Sequence, residues 1–197
     1  MATRGDEFIN AAGGQRLTVR QTAADTGGAL LQMEAVYAPG GKPPPIHAHP
    51  AQEERFSMLA GAMLVRIAGR EHRLAAGAVL IIPAGTPHTM WNDGNGEARF
   101  RWEVRPALRS ESFFAYLYAL VGRGGRPPLL ALAALFYAYR DEFRVTGMAH
   151  RLLFGALGVL ARVRGTDFRE AIQPSLQMQA AGEDESKDAD AGLSIAS

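Results

Sequence analysis

At 197 residues with 47% apolar side chains, the chain is long enough to bury a real core, as one domain or one domain with a small appendage. A formal net charge of +1 gives no global pull toward nucleic acid or an anionic membrane. The absence of cysteine excludes disulfides, thiolate metal sites and a cysteine nucleophile, so any metal must be held by nitrogen and oxygen.

The opening segment, MATRGDEFINAAGG, lacks the apolar core of a secretory signal, which makes the cytoplasm the expected location. From there to about residue 107 the hydrophobic period is two. Leu31, Met33, Ala35 and Tyr37 share one face while Gln32 and Glu34 point the other way, and Phe100, Trp102 and Val104 alternate with Arg99, Arg101, Glu103 and Arg105. Strand after strand with glycine- and proline-rich turns between them is the pattern of an antiparallel sandwich or barrel.

Within this region lies PPPIHAHPAQEERFSMLAG. Side chains two apart on a strand share a face, so His47 and His49 both project inward if either does, and they can chelate one ion. Pro50, Ala51 and Gln52 supply a turn. The next strand sets Glu54, Phe56 and Met58 against Glu53, Arg55, Ser57 and Leu59, and an acid beside two large apolar residues is the expected inner face. Glu54, rather than Glu53, is therefore the preferred third ligand. Downstream, GAVLIIPAGTPHTMWN reads as a buried strand from Val79 to Ile82, a tight turn, and a returning strand opened by His88. Three imidazoles and a carboxylate suit Fe, Mn, Ni, Cu or Zn and leave two positions of an octahedral site open for chemistry. Met33, Tyr37, Phe56, Met58, Met90, Phe100 and Trp102 share faces with these ligand positions or with the core. They are the expected lining of a pocket for a small-molecule substrate, although the same residues would fill an ordinary barrel core.

After residue 107 the period becomes helical. A first helix is expected behind a Ser110 cap, carrying Phe113, Phe114, Leu117, Leu120 and Val121, and GRGGRPP breaks it. A second starts near Pro128 and runs to about Val145, with Leu132, Leu135, Phe136 and Tyr139 in one stripe. A third places Leu152, Leu153, Ala156, Leu157 and Leu160 on one face, each stripe needing a partner such as the barrel mouth or a second subunit. Arg140, Arg144, Arg151, Arg162 and Arg164 read as solvated faces or as partners of Asp141 and Glu142, so no nucleic acid is expected, and attachment to a membrane surface is a secondary alternative. From about Pro174 the chain is too small and polar to form a core and reads as a disordered tail. The expected organisation is thus a barrel over residues 1–107, a helical extension over 108–173 and a tail over 174–197.

The pattern around the histidines resembles the cupin superfamily, whose motifs are G-x5-H-x-H-x(3,4)-E-x6-G and G-x5-P-x-G-x2-H-x3-N. Gly41, His47, His49, Glu54 and Gly61 fit the first, and Gly77, Pro83, Gly85, His88 and Asn92 the second. The resemblance spans about residues 15 to 106. It implies a mainly β protein built on an antiparallel jelly-roll barrel, one divalent transition metal ion on His47, His49, Glu54 and His88, and Asn92 closing its motif without being a ligand. It implies a range of activities rather than one. Dioxygenase chemistry similar to that of quercetin dioxygenases, with Glu54 as base, is the leading expectation. An oxygen-independent isomerase or cyclase, or a non-catalytic small-molecule-binding regulator, is the alternative. A homodimer through the helices is a further expectation.

Overall fold

The computed structural model describes residues 2–122, 127–167 and 169. Two antiparallel sheets form the barrel. The first runs in the order β1 (Glu7–Asn10), β2 (Gln15–Gln21), β3 (Leu31–Tyr37), β10 (Ala98–Arg105), β5 (Glu53–Ala60), β8 (Val79–Ile82). The second runs β11 (Arg144–Val145), β4 (His47–Ala48), β9 (His88–Trp91), β6 (Ala62–Ile67), β7 (Arg70–Ala75). The fold is the expected jelly roll.

Alternation in the sequence becomes layering in the core. Register places Trp102 of β10 opposite Phe56 of β5 on one side and Met33 of β3 on the other, all pointing inward. Phe56 lies 5.4 Å from the Trp102 ring and 5.9 Å from Phe100, centroid to centroid. Each such buried side chain is worth roughly 1.5–3 kcal/mol, so this aromatic cluster is a principal source of barrel stability. Gly61 turns β5 into β6 at φ +68°, and a Cβ there would sit 2.3 Å from the Glu97 carbonyl oxygen, so only glycine fits. Asn92 is buried and ties three main-chain groups together, donating to the Tyr37 and Gly96 carbonyls and accepting from the Gly94 amide.

Three helices follow: α1 (Ser110–Val121), α2 (Leu129–Ala138) and α3 (Met148–Val163). Their details differ from expectation in three ways. Ser110 is the first helical residue rather than the cap, and its buried hydroxyl accepts from Gln52 Nε2 at 2.7 Å; that amide also donates to the Pro106 and Ala107 carbonyls. The second helix ends at Ala138, not near Val145. Arg109 explains the stop, since its Nη2 donates to the Ala138 carbonyl while its Nε and Nη2 clamp the Glu142 carboxylate at 2.8 and 2.9 Å. The chain thereby turns and adds β11 alongside β4, with Val145 opposite His47. On α3, four of the five residues expected on the buried stripe, Leu152, Leu153, Ala156 and Leu160, are exposed, and only Leu157 turns inward. The packed seam is instead Phe154, Leu157, Gly158 and Ala161. A Cβ on Gly158 would meet Tyr137 Cβ at 2.6 Å, which shows how closely α3 approaches α2. The expected break at GRGGRPP and the expected tail fall in part or wholly on residues 123–126 and 170–197, outside the described residues.

Candidate metal centre

Strand pairing brings the three histidines together. β4 and β9 pair with His47 opposite His88, and His49 follows β4 with its carbonyl fixed by the Gly85 amide at 2.8 Å. A ring nitrogen from each of His47, His49 and His88 lies within 4.8 Å of the others. Glu54 reaches the same point from β5 of the opposite sheet, with Oε1 3.3 Å from His49 Nε2 and Oε2 3.0 Å from His88 Nε2. Glu53, on the other face, is exposed.

Each imidazole is oriented by its far nitrogen. Nδ1 of His47 is 2.8 Å from the Pro45 carbonyl, Nδ1 of His88 3.0 Å from that of Thr86, and Nδ1 of His49 2.6 Å from that of Glu142. A carbonyl only accepts, so all three Nδ1 atoms carry the proton and a neutral ring turns an Nε2 lone pair inward. Trp102 Nε1 donates to Glu54 Oε1 at 3.0 Å and fixes the carboxylate. Glu54 Oε2 and His49 Nε2 are then buried without a hydrogen-bond partner, an arrangement that costs about 1–3 kcal/mol per group if left unmet. Inward lone pairs facing a carboxylate with no proton between them call for a cation, and an N₃O donor set fits a divalent transition metal.

Electrostatics favour the metal-binding forms of Glu54, His47 and His49. Burial pushes the Glu54 carboxyl up, but His49 and His88 beside it outweigh this and hold it at about 2, so it is ionised. Burial, helped by His49 and His88, pushes the His47 imidazole down to about 3, and burial likewise lowers His49. His88 is the exception: burial pushes it down, yet the Glu54 carboxylate against it leaves it raised.

The site opens into a cavity of about 870 Å³, walled by barrel residues and by α1, α2 and the segment entering β11. Of the seven residues expected to line a pocket, Tyr37 and Trp102 form part of its wall; Met33, Phe56, Met58, Met90 and Phe100 lie in the barrel core and are not among its lining residues. Tyr37 and Tyr118 share a hydrogen bond in the wall; burial pushes Tyr37 up to about 12 and also holds Tyr118 well above its usual value, so both hydroxyls stay protonated.

The residues that the sequence reading missed come from the helical extension. Phe143 stacks on His47 at 4.7 Å and 25°, and packs in turn on Phe113 at 5.1 Å. Glu142 holds His49 through its carbonyl while Arg109 grips its carboxylate. The available signal was YRDEFRV, where charge interrupts an otherwise apolar helical run.

Residues 33–104 match the family model described as the cupin domain. A curated oxidoreductase of Arthrobotrys oligospora is 31% identical over 111 residues, which are 50% of this chain and 44% of that protein, so the chain spans less than half of that relative's length. Among solved structures, a predicted oxalate decarboxylase from Thermotoga maritima is 22% identical, covering 54% of this chain and 99% of its own, with a TM-score of 0.46. A sugar phosphate isomerase of Silicibacter pomeroyi is 25% identical over 51% of this chain and 65% of its own, with a TM-score of 0.41.

Proposed function

We propose, on the premise that this chain belongs to the cupin superfamily through residues 33–104, that it is a metal-dependent enzyme acting on a small, largely apolar, oxygenated substrate, enolisable or aromatic, by dioxygenase-type chemistry. The observation that carries this reading is the convergence of three Nδ1-protonated imidazoles and an ionised Glu54 at one end of an aromatic-walled cavity. The oxidoreductase name of the Arthrobotrys oligospora relative agrees with it.

When bound, a divalent metal supplies Lewis acidity toward a substrate oxygen and, if redox-capable, the electron chemistry that dioxygen requires. The protein's own groups supply the rest. Trp102 engages Glu54 Oε1 and leaves Oε2 as the atom that takes a proton from a substrate hydroxyl or activated carbon. The Tyr37 and Tyr118 pair, held protonated in the same cavity wall, offers a hydrogen bond to a substrate oxygen. Phe113, Phe136 and Phe143 exclude water and favour a flat apolar body.

Elemental analysis of protein purified without added metal, followed by oxygen-uptake assays with enolisable and phenolic compounds, tests the proposal. Stoichiometric Fe, Mn, Ni or Cu and substrate-dependent oxygen uptake are expected. Turnover that persists anaerobically would replace the dioxygenase by isomerase or cyclase chemistry at the same residues, and a metal-free protein that binds but does not turn over such compounds would leave a regulatory ligand-binding role.

A further inference from the structure

The outward face of α3 is apolar along its length. Met148, Leu152, Leu153, Val159, Leu160 and Val163 are exposed, Met148 by 81%, Val163 by 79% and Leu152 by 69%. At 100° per residue, Met148, Leu152, Val159 and Val163 fall within a single narrow sector opposite the packed seam, with Leu160 and Leu153 on one shoulder. A lone exposed leucine needs no explanation, but a continuous stripe of this kind does. The sequence reading turned these leucines toward a partner and held membrane-surface attachment secondary; the close packing of Gly158 on Tyr137 turns Leu152, Leu153 and Leu160 outward.

Charge around the stripe discriminates among occupants. No Asp or Glu occurs between Met148 and Thr166. Arg162 and Arg164 are exposed on either side of Val163, and exposed Arg140 and Arg144 border the groove where Gly155 meets the end of α2. Asp141, 3.9 Å from Arg144, is the acid on that border, and Asp167 lies beyond the helix end. A second copy of this helix brings no acidic partner for Arg162 and Arg164. A surface of phosphate head groups complements them. The helix, at 16 residues or about 24 Å, is short of the ~30 Å hydrocarbon core, so it is suited to lie on a bilayer and not to cross it.

We propose that α3 docks the protein onto an anionic lipid surface, its apolar stripe entering the acyl boundary and Arg162 and Arg164 engaging phosphates. The same helix contributes Phe154 to the wall of the metal-site cavity, and a shallower cavity of about 240 Å³ between α2 and α3 shares Phe136, Phe143, Val145 and Phe154 with it. Docking therefore brings the cavity's helical wall against the lipid, the side from which an apolar substrate would arrive. This inference stands on the helix alone and does not depend on the chemistry assigned to the metal centre.

Co-sedimentation of the full-length protein with vesicles tests it, using phosphatidylglycerol–phosphatidylcholine mixtures against pure phosphatidylcholine. Binding to the anionic vesicles is expected, falling with added salt. The double variant Leu152→Glu, Val159→Glu should abolish it, and each of Arg162→Gln and Arg164→Gln should weaken it about fivefold. All four substituted side chains are exposed, so circular dichroism and metal content should match the parent. Failure to bind, or equal binding to neutral and anionic vesicles, would overturn the proposal. So would a dimer, seen by sedimentation equilibrium without vesicle binding, that the Leu152→Glu, Val159→Glu variant dissociates, since the face would then belong to a second copy.

Discussion

His47, His49 and His88 each meet the centre through one nitrogen and a backbone carbonyl through the other, so replacing any one removes a donor while the barrel cluster of Phe56, Phe100 and Trp102 stays intact. His47→Ala, His49→Ala and His88→Ala should each lose most of the bound metal while the far-ultraviolet spectrum is retained. Unchanged occupancy in all three, measured by elemental analysis, would refute the site. The adjacent acids give a sharper comparison. Glu54 is 1% exposed among the imidazoles and Glu53 faces solvent, so Glu54→Gln should depress metal affinity at least tenfold whereas Glu53→Gln should leave it nearly unchanged. Equal losses would mean that strand alternation does not select the ligand. These residues were legible in the sequence because the information is local: two histidines on one strand, an acid placed by alternation on the next, and a histidine after a tight turn. Glu142 and Phe143 were not legible, because their contact with His49 and His47 spans more than ninety positions and depends on how the extension docks.

Among the elements, β3, β5 and β10 follow from period-two alternation, with inward and outward residues placed as the pattern requires, whereas β8, read as a buried strand, is a sheet edge that exposes Val79 and Ile81. The helices were legible in existence but not in orientation. Periodicity reveals that α3 carries a stripe of leucines; it does not reveal that the packed seam is centred on Gly158 and Ala161, whose low hydrophobicity gives little signal but which let two helices approach. Two glycines one turn apart separate the effects. At Gly155 a Cβ would meet open space, so Gly155→Ala should stabilise the protein by about 0.5–1 kcal/mol through helix propensity. At Gly158 the same gain is opposed by a 2.6 Å collision with Tyr137 Cβ, and overpacking costs about 1–3 kcal/mol, so Gly158→Ala should melt below the parent. Thermal melts of the two variants moving in the same direction would show that α3 does not pack on α2 as described. The early end of α2 has a similar lesson, since the Arg109 clamp on Glu142 joins a helix start to a helix end that no local pattern connects.

Across the whole molecule, the barrel and the extension share one core. Phe114 of α1 meets Trp102 of β10 at 4.8 Å, Phe113 and Phe143 continue the aromatic packing to His47, and β11 adds to the second sheet. A chain ending at residue 107 would bare this surface. Phe113, Phe114, Tyr118 and Leu120 are buried, and at roughly 1.5–3 kcal/mol each their loss is comparable with the usual 5–15 kcal/mol stability of a domain. The truncated barrel should aggregate or melt without cooperativity, and one that stayed soluble, kept its metal and melted near the full-length temperature would refute the shared core. The hydrogen bond from His49 to the Glu142 carbonyl also sets an order of events during synthesis. A nascent chain whose barrel strands have all left the ribosome still lacks the group that orients its second imidazole, which arrives only when residues 142–145 emerge and dock. The extension, rather than the barrel, thus supplies the last group that shapes the imidazole cluster.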